Sequence, residues 1–365
     1  MQIGTELRAL TSIRGIAAWY VVLYHIRLSA SSSLPPALLG FLARGYLAVD
    51  FFFILSGFVI WLNYAGQLRK QGISGVPRFL WRRLARIYPL HLFMLFWGMG
   101  FLLLCWGLGK AGPDDYPVGE LPLHLLLAQN WGFTGALSWN HPAWSISCEW
   151  AAYLFFPIIV AAFRWEKWPA IALVTALFVL LASMYALSLS FGLTSLGADI
   201  PHFGLPRCIL EFSAGTILSA LWLRWRSNER WPAIICALIA TGALILYLMV
   251  GAEPLSIFLA FAALTLFLAL SSGWRRNPLD GNLIHWLGTV SYATYLVHSI
   301  LFKMFKLLFV DNPDDIALPV LAAYLALTLL MSFALYNLVE RPAQRWMNRG
   351  VTAGRGERRN SAETG

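Results

Sequence analysis

What most constrains this chain is the spacing of its apolar residues, which fall into runs of roughly twenty broken by short polar or charged segments. A helix rises ~1.5 Å per residue, so a run of that length covers the ~30 Å of a hydrocarbon core. Apolar residues make up 59% of the chain and charged residues 12%, against about a quarter charged in soluble domains. Inside a bilayer every backbone polar group must be satisfied, and a helix does so within its own segment. The expected fold is therefore all-α, a polytopic membrane helix bundle with about ten transmembrane helices. The spans read as 9–28, 45–64, 88–108, 143–163, 169–190, 203–223, 232–250, 254–272, 284–308 and 317–338. Residues 1–342 then form one membrane-embedded domain, and 343–365 a basic tail expected to be disordered. Ser29-Ala30-Ser31 follows the first run, but Arg14 interrupts it, so it reads as a retained helix rather than a cleaved leader.

Charge gives the orientation. An even number of spans places both termini on one side. Arg69, Lys70, Arg78, Arg82, Arg83, Arg86, Arg164, Lys167, Arg224, Arg226, Arg230, Arg275, Arg276 and the arginines from Arg341 onward all fall on that side. The other side carries Asp114, Asp115, Glu120, Asp199, Glu253, Asp311, Asp314 and Asp315. The positive-inside rule makes the basic side, with both termini, cytosolic. The net charge of +9 is then accounted for by orientation and by anionic membrane lipids, with no nucleic-acid partner required. Cys105, Cys148, Cys208 and Cys236 lie in apolar runs without CxxC spacing, which indicates neither a zinc site nor a disulfide framework. Leu121 to Gln129 is apolar but too short to cross, and is expected to lie along the outer interface or re-enter partway.

Ionisable groups within spans cost several kcal/mol unless paired or hydrated, so each is a functional candidate. Arg14 and His25 are eleven residues apart, about three helical turns, and share one face at different depths. Such a pair can hold an anionic donor at one end and activate a nucleophile at the other. A lone Asp50 on the second span needs a partner, and His25 or Arg44 is the expected one. Ser56-Gly57 reads as a small-residue packing site. Arg83 and Arg86 share a helical face just before Pro89, a spacing suited to phosphate. Glu149 sits about two turns into the fourth span, where it binds a sugar hydroxyl, moves a proton or pairs with a buried base. Trp144 and Trp150 read first as interfacial residues, though aromatic faces also stack on sugars. Ser291, Tyr295 and His298 follow at spacings of four and three and form a polar stripe.

Together these segments resemble the acyltransferase 3 family of integral membrane acyltransferases, from residue 8 to about 342. The resemblance rests on Arg-x10-His at Arg14 and His25, Gly-x3-Val-Asp-x-Phe-Phe-x-Leu-Ser-Gly ending at Gly57, and Arg-x2-Arg-x2-Pro ending at Pro89. It also rests on Pro-x-Trp-Ser-x3-Glu ending at Glu149, Ser-Tyr-x2-Tyr-Leu-x-His ending at His298, and Glu340-Arg341-Pro342. Cys148 stands where the family often has a small apolar residue. The resemblance implies transfer of an acetyl or other short acyl group to carbohydrate hydroxyls at or beyond the bacterial inner membrane. It makes His25 essential, associates Arg83 and Arg86 with the donor, and points to the form lacking an appended esterase-like domain, so that onward transfer would fall to another protein such as polysaccharide export machinery.

The combined expectation is an enzyme with acetyl-CoA or another acyl-CoA as donor. Arg83 and Arg86 hold the CoA phosphates and Arg14 lies along the pantetheine path. His25 is general base or acyl carrier, and Asp50 or Glu149 supports the imidazolium or positions the sugar. Trp144, Ser291, Tyr295 and His298 are the candidates for binding the acceptor or a developing oxyanion, and no metal is required. The alternative class is a proton-coupled transporter or glycan-export accessory protein, since membrane-embedded His, Asp and Glu also serve as proton relays.

Overall fold

The computed structural model describes residues 7–109, 114–274, 277–310, 312 and 315–349. Arg275, Arg276, Asp311, Asp314 and the chain from 350 onward lie outside the described residues. Those described are helices and connecting loops: α1 (Arg8–Ile26), α2 (Pro36–Leu42), α3 (Ala48–Ile60), α4 (Gly66–Gln71), α5 (Val76–Gly107), α6 (Leu121–Leu125) and α7 (Ala143–Ala162), then α8 (Ala170–Ser190), α9 (Ile200–Trp225), α10 (Arg230–Val250), α11 (Glu253–Leu270), α12 (Asn282–Thr289), α13 (Ser291–Phe309) and α14 (Leu318–Leu335).

Each expected span falls on helix, with informative differences. The third begins at Val76 rather than 88, so Arg83 and Arg86 stand on a continuous 32-residue helix through Pro89. The ninth is divided at Val290 between α12 and α13, and Ser291 closes the break by donating to the Gly288 carbonyl at 2.8 Å. Helix also continues through 341–349, where a disordered tail was expected from 343. There Trp81 Nε1 donates to the Met347 carbonyl at 2.8 Å and docks that turn on α5. The segment Leu121 to Gln129 turns into the bundle, burying His124 and Gln129.

Among the described residues, seven segments are long and apolar enough to cross a membrane: Arg8–Ala30, Pro36–Gly107, Ala143–Lys167, Ala170–Ser190, Arg230–Val250, Glu253–Gly273 and Leu318–Arg349. The second of these contains two expected spans. The remaining two, α9 and α13, carry Arg207 and Glu211, and His298, Lys303 and Lys306, which lower their hydropathy. On the bundle exterior α10 presents Leu238 and Met249 at 67% and 80% exposure, an apolar face that water does not tolerate but lipid does.

The centre of the bundle is the crossing of α3 and α9. A Cβ on Gly57 would stand 1.9 Å from the Phe212 carbonyl oxygen, and one on Gly215 would stand 2.0 Å from that of Ile54. The packing role expected of Ser56-Gly57 therefore belongs to Gly57, while Ser56 turns toward α7. About two turns away on the same crossing, Asp50 pairs with Arg207 Nε at 2.9 Å, and both are buried. This replaces the expected partners His25 and Arg44, because two helices in backbone contact bring Arg207 to Asp50 before any residue of α1 can reach it. Gly57→Ala is expected to destabilise the protein by about 1–3 kcal/mol through overpacking, seen as a lower unfolding temperature in detergent. An unchanged temperature would mean that the crossing opens without cost.

Candidate active site

A cavity of about 440 Å3 opens between α1, α3, α5, α7 and α13, with Arg14, Arg83 and Arg86 among the residues that line it. The three arginines differ in what they already hold. Arg83 donates from Nη2 to the Tyr64 hydroxyl at 2.8 Å, and its guanidinium lies over the Tyr64 ring, 4.8 Å from the centroid. Arg86 forms an ion pair with Glu340, whose side chain is 2% exposed, and lies over the Tyr292 ring. Arg14 lines the cavity, half-buried, and makes no hydrogen bond or ion pair among the described residues, although it lies in the field of Glu149 and Tyr153. It is thus the least committed of the three cations for an incoming anion.

Both arginine partners sit on π-helical turns. Tyr64 belongs to Trp61–Ala65, which continues α3, and Glu340 belongs to Tyr336–Glu340, which continues α14. A π turn inserts one residue and rotates the side chains beyond it, which re-aims them without ending the helix. That widening brings Tyr64 against Arg83 and Glu340 against Arg86.

Further in, Ser56 Oγ and the Tyr153 hydroxyl each donate to Glu149 Oε1 at 2.5 Å. Ser56, Glu149 and Tyr153 all line the cavity, and Oε2 of Glu149 has no partner among the described residues. Among the described residues Glu149 pairs with no base; its partners are two hydroxyls of the protein, and it faces the cavity. The far end is closed by Phe52 and Tyr295, packed edge to face with centroids 6.0 Å apart, and the Tyr295 hydroxyl shares a hydrogen bond with Ser145 at 2.9 Å.

Behind Tyr295 lies a histidine pair. His298 is fully buried, its ring centroid is 6.1 Å from that of Tyr295, and its Nε2 is 3.2 Å from Nδ1 of His25. The same His25 nitrogen lies 2.9 Å from the Val21 carbonyl. A carbonyl only accepts, so Nδ1 of His25 carries the proton and Nε2 keeps its lone pair. His25 is exposed and its Nε2 has no partner among the described residues, which is the tautomer and access a general base requires.

The predicted residues therefore divide. Arg14, Arg83, Arg86, Glu149, Ser291 and Tyr295 meet in the cavity, and His25 and His298 meet just beyond its closed end. Two do not join them. Asp50 is occupied by Arg207, and Trp144 is 7% exposed, packed edge-on to Phe53 beneath the Arg207 guanidinium, with no face open to a sugar. Sequence reasoning missed Tyr153, although it lies four residues after Glu149 on the same helical face. Tyr64 carried no such signal, since its placement depends on the π turn.

At the opposite end of the bundle from Arg83, the loop residue Asp115 binds both Lys303 and His141, the latter at 2.9 Å. Burial alone would raise the Asp115 carboxyl, but hydrogen bonds from His141 and Lys303 outweigh it and draw the value down to about 2. The clamp is therefore intact above the ordinary carboxylate range and is lost only as pH falls through about 2.

The acyltransferase 3 model, described as an acyltransferase domain, matches residues 7–337, and the chain belongs to this family. It is a membrane acyltransferase of the multi-pass type. Acyltransferase MdmB of Streptomyces mycarofaciens is 28% identical over 376 residues, covering 94% of this chain and 93% of that protein. The protein of Staphylococcus aureus (strain COL) named "Putative O-acetyltransferase SACOL0978" is 24% identical over 374 residues, and the match spans 91% of this chain but only 56% of that longer protein. "Protein 2 in picA locus" of Rhizobium radiobacter is 36% identical over 152 residues, 38% of this chain and 75% of that one. No solved structure matches.

Breaking a buried ion pair leaves an uncompensated charge, at a cost of about 3–5 kcal/mol, whereas removing both partners costs less. Arg86→Ala and Glu340→Ala are each expected to lower the unfolding temperature more than the double variant does. Additive losses would show that the two side chains do not stabilise one another.

Proposed function

We propose that this acyltransferase moves an acetyl or other short acyl group from cytosolic acyl-CoA to a carbohydrate hydroxyl of a lipid-linked, exported or surface glycan, with His25 as general base. The observation that carries the reading is the open Nε2 of His25, held in the basic tautomer by Val21 beyond the closed end of an arginine-lined cavity. In this reading the chain crosses a bacterial inner membrane ten times with both termini in the cytosol. Arg14 and Arg83 meet the CoA phosphates and the pantetheine arm occupies the cavity. Arg86 acts through Tyr292 and Glu340, because its charge is already neutralised. A cavity of about 440 Å3 suits a slender arm with a short acyl group.

The thioester carbonyl must approach His25 past Phe52 and Tyr295, so these two rings move aside when the donor is bound. The acceptor oxygen attacks the carbonyl carbon as its proton passes to Nε2 of His25, and the C–S bond breaks to release CoA thiolate, which takes that proton from the imidazolium and restores the neutral base. His298, beside Nδ1, steadies the imidazole in both charge states. Glu149, with Ser56 and Tyr153, is a polar station in the donor cavity and stays remote from the acceptor.

His25→Ala is expected to abolish acyl transfer at wild-type membrane levels, while Arg14→Ala raises the KM for acyl-CoA about tenfold or more, the loss of roughly one charge-assisted contact. Radiolabelled acetyl-CoA with the purified protein measures both, and proton NMR of surface glycans from complemented cells identifies the ester. Full activity of the His25 variant would overturn the base assignment.

A further inference from the structure

The loop before α7 lies along α13 at the level of the histidine pair. Asn140 Nδ2 donates to the Leu296 carbonyl at 2.9 Å, two residues before His298, and Asp115 binds Lys303, five residues after it. His141 is held between these two ties. Its Nε2 meets Asp115 Oδ2 at 2.9 Å, and an ionised carboxylate only accepts, so that nitrogen carries the proton. Nδ1 of His141 is then left as an acceptor, and it has no partner among the described residues. The side chain is 36% exposed, and the imidazole is near enough to His25 for its charge to be felt there. Two imidazoles from different elements thus present open nitrogens at the same end of the bundle, each with an acceptor beside its other nitrogen.

We infer that His141, oriented by Asp115, is an acceptor-positioning residue that takes a hydrogen bond from a hydroxyl adjacent to the one His25 deprotonates, which selects a polyhydroxylated acceptor with neighbouring hydroxyls. The inference rests on the sugar-acceptor reading given above. A single base selects any alcohol that reaches it. A second fixed acceptor nearby, covered once the sugar is bound, is left unpaired when the neighbouring hydroxyl is missing, and that is how polar sites discriminate.

The test uses the full chain in nanodiscs, radiolabelled acetyl-CoA as donor, and methyl glucoside with its four monodeoxy analogues as acceptors. Wild type is expected to acetylate the parent and to lose about tenfold in kcat/KM when the hydroxyl next to the reacting one is absent. In His141→Ala that discrimination falls below about twofold, while the KM for acetyl-CoA stays within a factor of two. His141→Asn, whose amide oxygen can accept, retains part of the discrimination, and Asp115→Asn shifts it in the same direction as His141→Ala. Undiminished discrimination in His141→Ala would overturn this inference alone. Equal losses for donor and acceptor would reduce His141 to a structural role and overturn it too. Failure of wild type to acetylate any of the five would overturn the sugar-acceptor reading, and this inference with it.

Discussion

A charge buried among apolar helices must find a partner, and this constraint organises the molecule. Asp50 and Arg207 meet it across the α3–α9 crossing, Arg86 and Glu340 across α5 and the end of α14, and Lys303 and Asp115 at the opposite end. Each pair links elements distant in sequence, so the pairs act as registry marks for helices whose apolar faces alone would slide past one another. The Asp50–Arg207 pair is the deepest, and it is possible only because Gly57 and Gly215 let two backbones touch.

Groups left over after this pairing are the ones free to meet a ligand. Arg14 stands in the cavity without an ion-pair partner, Glu149 holds two hydroxyls on one oxygen and offers the other, and His25 has one nitrogen fixed and one open. Arg14 and His25 occupy the same face of α1 at different depths, so one rigid helix separates the place where an anion can be held from the place where a proton can be taken. The rings of Phe52 and Tyr295 pack edge to face between the cavity and the histidine pair. Deviations from regular helix serve the same division of labour. The π turns after α3 and α14 aim Tyr64 and Glu340 at the arginines, and the break at Val290 separates the short α12 packed on α1 from the α13 helix that carries Tyr295 and His298.

The sequence by itself determined the all-helical class, the approximate place of every long helix, the family, and about half of the cavity's polar lining. The class and the helices follow from periods of about twenty apolar residues, the lining residues from single ionisable groups whose cost in lipid marks them out one at a time, and the family from the ordered motifs the chain shares with it. What only the tertiary structure decided is which groups are neighbours. Asp50 goes to Arg207 rather than His25, Trp144 is buried rather than presented to a sugar, and Ser56 faces Glu149 while Gly57 takes the packing role. The first two turn on contacts between helices far apart in the chain, and the third on a rotation of one residue about a helix axis. A hydropathy pattern fixes which face of a helix is buried but not against which neighbour it is buried, because apolar packing is non-directional and the pairing of helices is settled by the few polar contacts and small residues they share.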